Sequence, residues 1–303
     1  MTATDATPAA PAQPRRPAPL RRLSDWLVAP VPRGRVAAFR TLAYLFVPVD
    51  LLLLTPWVRL HATVPGELYR PLLLGRLLPL PVPTDALVDG LFVALLATSV
   101  AAATGRAPRA LGWAVALLYG EWMVIAMSYG KVDHDRFGYL VALFALATAG
   151  PARHGDPTPT ERGGWALRVT QIAAIATYFL AALTKYRYGG LDWLNSSTLT
   201  WAVVRRGTSF GDWMMGLPGV LVAMQWFIYT FEFCSPAVFL LTERWRRRVV
   251  ALLYAFHVGV YAAVKIAFFP HLVALAAFLP LEQVRPVEAV RRRLGARRQP
   301  VSA

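Results

Sequence analysis

The sequence predicts an all-α fold, a polytopic integral membrane helical bundle of about eight transmembrane spans. Three observations predict it. The 303 residues are 56% hydrophobic with positive mean hydropathy. The apolar residues gather in runs close to the ~20 residues that a spanning helix needs. Arginines flank those runs rather than decorating a soluble face. A net charge of +15 would otherwise suggest nucleic acid, and the placement of the charge removes that partner. The partner it leaves is a lipid bilayer.

Residues 1–20 are rich in Ala and Pro and read as a disordered basic tail. No apolar core follows the first arginines closely enough for a cleavable signal peptide. Arg21, Arg22, Arg33 and Arg35 bracket an amphipathic piece, LSDWLVAPV, suited to the membrane surface. The membrane domain is read as 21–282, with spans near 36–57, 85–104, 110–128, 137–150, 167–185, 218–241, 248–265 and 267–282. The fourth and last are short; eight is the best count, six or seven the alternatives. Residues 283–303 form a basic tail.

Orientation follows the Lys and Arg bias. With the N-terminus inside, the inner segments carry Arg15 to Arg35, Arg106, Arg109, Arg153, Arg162, the run ERWRRR (243–248) and the tail RRRLGARR (291–298). Both termini are therefore expected in the cytoplasm of a multi-pass protein of the cell membrane. Lysine occurs only at 131, 185 and 265, and a chain rich in Arg, Ala and Pro suggests a GC-rich bacterial genome. Cys234 is the single cysteine, which excludes an intrachain disulfide, a Cys-based metal site and a CxxC pair. No Walker A or dinucleotide glycine pattern occurs, so nucleotide-driven chemistry is not expected.

Candidate chemistry starts with the run QIAAIATYFLAALTKYRYGGLDW (171–193). Gln171, Tyr178 and Lys185 are seven apart, as are Thr170, Thr177 and Thr184, so six polar groups share one stripe ending at an amine. Lys185 is either an interfacial anchor that snorkels to the headgroups or a partly desolvated base. Tyr254, His257, Tyr261 and Lys265 form a similar stripe at three- and four-residue steps. His257 then either satisfies a neighbour in the bundle or serves a site. In KVDHDRFGY (131–139), His134 sits between two aspartates without the spacing of any defined zinc site, and no metal is expected. Glu121 and Glu232 fall near mid-membrane, with Arg40 as the obvious partner for either.

Several of these pieces resemble one family. YFLAALTKYRYGGLDWLNSSTL (178–199) resembles the segment of vitamin K-dependent γ-glutamyl carboxylases that reads Tyr-Phe-Ile-Ala-Gly-Val-Lys-Lys and continues to a tryptophan. Lys185 falls on its second lysine; Thr184 replaces the first. DHDRFGYLVAL places His134 on that family's Asn-Asn-His segment. AFHVGVYAAVKIAFFPHLVALAAFLPL (255–281) places His257 on its Phe-His stretch, and RVAAFRTL places Arg40 at the start of its first span. The pieces keep the family's order across the membrane region. The chain is thus similar to the HTTM (horizontally transferred transmembrane) family, of which the carboxylase membrane domain is one branch.

The resemblance implies a quinol-dependent, carboxylase-like enzyme that modifies a peptide or lipid at the extracytoplasmic face. In the carboxylases a neutral amine takes a proton from reduced vitamin K, and oxygen addition then yields a strong base. That base removes a γ-proton from glutamate, carbon dioxide captures the carbanion, and the epoxide leaves. By that likeness the cofactor is reduced vitamin K or menaquinol, Lys185 is the base, His134 orients the quinol or the oxyanion, and His257 supports the site. Tyr178, Tyr261 and Arg40 would contact the cofactor. Similar proteins take part in peptide-toxin maturation with a partner subunit, so a peptide or protein substrate and a partner subunit are also implied. Two alternatives stand beside this reading: a permease whose path is lined by Glu121, Glu232 and His257, and a non-catalytic partner in peptide maturation.

Overall fold

The computed structural model describes residues 18–284. Most of the predicted N-terminal tail (1–17) and of the basic C-terminal tail (285–303) lie outside them. Helix begins before the end of the expected tail, since α1 (Ala18–Leu27) already carries residues 18–20. It is amphipathic, as LSDWLVAPV suggested, and its Trp26 packs edge-on to Phe239 while Arg168 lies 4.4 Å over the indole.

Strand β1 (Val31–Pro32) pairs antiparallel with β2 (Pro159–Thr160), the only sheet among the described residues. Their ladder starts two long helices side by side, α2 (Arg33–Val49) and α7 (Glu161–Asn195). The Thr160 hydroxyl accepts from the Gly163 N–H and caps α7. Gly164 is required there: a Cβ on it would stand 2.0 Å from the Ala29 carbonyl oxygen.

Between these two come α3 (Leu73–Leu77), α4 (Asp85–Ala103), α5 (Pro108–Ala126) and α6 (Phe137–Thr148). Helices α4, α5 and α6 with α2 enclose the larger apolar core, which includes Phe39, Leu95, Trp122, Leu143 and Leu146. One polar network crosses this core. At Asp50 helix α2 widens into a π turn (Asp50–Leu54) that turns the carboxylate inward. The carboxylate is ion-paired with Arg136, accepts from the Tyr119 hydroxyl at 2.9 Å and from the Thr55 hydroxyl at 3.2 Å. Trp122 in turn donates to Thr55. The charge is thus fully compensated inside an apolar bundle.

After α7 follow α8 (Thr198–Arg206), α9 (Ser209–Met215), α10 (Val220–Cys234), α11 (Glu243–Val264) and α12 (Phe269–Leu275). Helices α7, α10, α11 and α12 build a second core around Tyr178, Leu253 and Leu275; α8, α9 and the ends of α10 and α11 a third. At the far end Glu282 folds back to bind Arg35 of α2 through two hydrogen bonds, 2.8 and 2.7 Å.

The fold is all-α, as the sequence predicted. The span count is smaller. Among the described residues four helices are long and apolar enough to cross a membrane, and a fifth if α9 and α10, bent by 110°, count as one. The sequence led to eight. The shortfall is physical: α5 has the length but carries Arg109 and Glu121, and α6 at ~18 Å falls short of the ~30 Å apolar core of a bilayer. The final apolar helix, Phe269–Phe278, is shorter still. Leu45, Leu53, Val93, Leu117, Leu180 and Val258 face outward from the longer helices, an apolar surface suited to lipid.

Candidate functional site

The stripe on α7 ends in a cavity. Lys185 lies ~36 Å along the helix axis from Glu161, at the opposite end of the bundle from the β1–β2 ladder. The cavity there has a volume of about 280 Å³, and its walls come from α7, α8, α10, α11, α12 and the turn at His134–Asp135. Phe256, Phe268, Ile228 and Val260 make most of it apolar. Polar groups enter at two levels.

At the outer level the Lys185 amine donates to the Glu232 carboxylate, Lys185 being 22% and Glu232 9% exposed in their side chains. The Trp193 ring closes over the amine, 5.4 Å from Nζ to its centroid. Gly190 makes this possible. Its backbone (φ 54°, ψ −145°) breaks α7 after the lysine and sends the chain back over it, a conformation essentially confined to glycine. Gln225 then fixes the returning turn. Its amide nitrogen donates to the carbonyls of Trp193, Leu194 and Ser196, and its oxygen accepts from the Leu199 N–H at 2.7 Å.

At the inner level the Tyr178 hydroxyl lies 2.6 Å from His257 Nε2. His271 stands edge-on to Tyr178 with ring centroids 4.7 Å apart, 1% exposed, and neither of its ring nitrogens has a partner among the described residues. His257 Nδ1 is also without one. Buried imidazole nitrogens without partners cost free energy that a ligand's hydroxyl or carbonyl can recover.

A second, more polar cavity of about 470 Å³ adjoins the first and shares His134, Asp135 and Phe268 with it. Lys131, Asp133, Arg136, Arg206 and Lys265 line it. His134 is exposed at this junction. Burial holds the neighbouring Asp135 carboxyl above its usual range, with Arg136 opposing.

Of the six residues that the resemblance assigned to the site, Lys185, His134, His257 and Tyr178 meet at one cavity. Two do not. Tyr261 is 54% exposed, because the wall follows Phe256, His257 and Val260 and leaves it past the edge of that face. Arg40 lines a separate cavity near the start of α2 that shares no residue with the first. The partner expected for Glu121 and Glu232 is also corrected: Glu232 takes Lys185, and Arg40 is ion-paired with neither among the described residues. The threonines of the stripe turn back on their own helix, Thr170 to the Ala166 carbonyl and Thr184 to that of Leu180.

Sequence reasoning places Asp50 and His271 only as ionisable groups at the outer ends of their spans; it missed Gln225, the pairing of Asp50 with Arg136 and the entry of His271 into the cavity. Glu232 and Gln225 had a signal, each a lone polar group in the apolar run of α10. His271 had a weaker one, the Pro270 before it that starts α12 and fixes its first turn.

No family model, no curated protein and no solved structure matches this chain. What fold and site define is a class: an all-α chain with membrane-length helices and, between them, an apolar cavity holding a lysine–carboxylate pair and buried histidines.

Proposed function

We propose that this chain is an HTTM-like membrane enzyme that uses a reduced quinone in carboxylase-like chemistry, with the cavity at Lys185 as its site. One observation carries the reading: four residues named from the carboxylase-like segments, which lie far apart in the sequence, line one apolar cavity. The unpartnered nitrogens of His271 and His257 suit a ring with hydroxyl or carbonyl groups. When bound, a reduced naphthoquinone would supply, on oxidation by oxygen, the strong base needed to remove a carbon-bound proton.

The chain's own residues do the rest. Phe256, Phe268 and Val260 shelter the ring, and His257, held by Tyr178, with His271 orients its polar groups. Lys185 can accept a proton only as the neutral amine. It reaches that form by passing its proton to the Glu232 carboxylate, so the proton acceptor is the pair rather than the lysine alone. Trp193 covers the amine and limits competing water. The polar cavity around Lys131, Arg206 and Lys265 is the approach for the peptide or lipid acceptor.

The reading carries a location in the cell membrane, both termini in the cytoplasm and the site on the outer face. It counts eight passes, with α5, α6 and α12 sheltered among longer neighbours. A permease path is less well supported, because Glu121 lines neither the cavity of Glu232 and His257 nor the one beside it.

The test is quinol turnover by the purified protein in lipid, supplied with reduced naphthoquinone and oxygen while the epoxide is followed. Lys185→Ala and Glu232→Gln should each lower turnover by ~10²-fold or more. A well-folded native chain that makes no epoxide, even with glutamyl peptides, would sink the proposal and leave the role of a non-catalytic partner.

A further inference from the structure

At the other end of the bundle, two turns into α2 and ~10 Å from its start, Arg40 is buried without an anion. Its side chain is 1% exposed. One guanidinium nitrogen, Nη2, donates to the Gly150 carbonyl at 2.5 Å, and Nε and Nη1 have no partner among the described residues. A guanidinium carries five donors and stays charged. Leaving a charge in an apolar bundle without a counter-charge is costly.

The surroundings do not supply the missing charge. Arg40 lines a cavity of about 320 Å³ where the first turns of α2, the α4–α5 turn and the segment after α6 meet. Arg106, Arg153 and His154 stand at its rim, the Thr104 hydroxyl donates to the Ala101 carbonyl at 2.7 Å, and no carboxylate lines it. Thr41 Oγ1 lies 3.0 Å from His154 Nε2, which ties the segment after α6 to α2. The Asp156 carboxylate accepts from the Thr158 N–H and lies within electrostatic reach of Arg153, but it does not line the cavity.

We infer that this cavity binds a phosphate-bearing anion. Three guanidinium groups and an imidazole exceed what a single carboxylate could satisfy. They match the charge and the several acceptor oxygens of phosphate. The group could belong to an anionic phospholipid headgroup or to a soluble phosphate, and the same chemistry serves both. The site is independent of the cavity at Lys185.

Binding is measured on the purified full-length chain in two arms. Inorganic phosphate is titrated in neutral detergent, and phosphatidylglycerol is titrated against phosphatidylcholine in mixed micelles, each followed by the thermal-unfolding midpoint. Arg106→Gln/Arg153→Gln removes two rim charges without touching the buried core. Arg109→Gln/Arg162→Gln removes as much charge from arginines that do not line the cavity. The site predicts at least tenfold weaker binding for the first pair and less than twofold for the second. Response to phosphatidylglycerol alone assigns the site to a lipid headgroup; response to inorganic phosphate assigns it to a soluble anion as well. No response in either arm, or equal loss in the two double variants, would overturn the inference.

Discussion

Lys185 shows how much a single neighbour decides. On spacing alone it is an anchor or a base; beside Glu232, with Trp193 over it, it is half of a buried pair. Removing one partner of such a pair strands the other charge, whereas removing both leaves only an apolar gap. Glu232→Gln alone should therefore lower the thermal midpoint more than Lys185→Met/Glu232→Gln does. Equal midpoints would mean the pair is solvated and inert. His271 makes the complementary case. Both its nitrogens are without partners among the described residues, so His271→Phe should keep stability within ~1 kcal/mol while quinol turnover falls. A large loss of stability there would point to a bond that holds the fold. These residues were partly legible: Lys185, Tyr178 and His257 stood out as polar groups in apolar runs, and His134 through the likeness of its loop to a carboxylase segment. Which carboxylate meets the lysine was not legible, since that depends on how α7 crosses α10.

At the scale of elements, helix positions were easy to read and their ability to span was not. Apolar runs fix where α2, α4, α7 and α11 lie, because nothing else in the sequence could bury such lengths. The run at 137–150, by contrast, becomes the short α6, which finds its shelter among other helices, and composition cannot separate the two fates. The break in α7 was also invisible, as a Gly-Gly pair inside a helix reads equally as a flexible turn. It has a testable consequence. Gly190→Ala should cost ~1–3 kcal/mol in strain and lift Trp193 from Lys185. The kinetic sign would be lower turnover with a raised KM for quinol. Unchanged kinetics would show that the indole is no part of the site.

At the scale of the molecule, two ends of opposite character are joined by α7. One end is basic, with the β1–β2 ladder, the Arg40 cavity and the Arg35–Glu282 tie; the other holds both cavities around His134. The tie should make stability depend on pH. Hydrogen bonds from Arg35 hold the Glu282 carboxyl below its usual range. A lowered folded value means the stabilisation is fully present above the unfolded value of about 4.3. It is lost as pH falls further, through the folded value. With the pair partly exposed, ~1 kcal/mol is at stake. Acid unfolding of Glu282→Gln should accordingly show a shallower slope below pH ~4.3 than the native chain, and parallel slopes would dismiss the tie. His271 belongs to α12, the last apolar helix described, while Lys185 and Glu232 belong to helices earlier in the chain. A chain truncated before Phe269 would keep both members of the ion pair and lack the histidine that stands beneath them in the cavity.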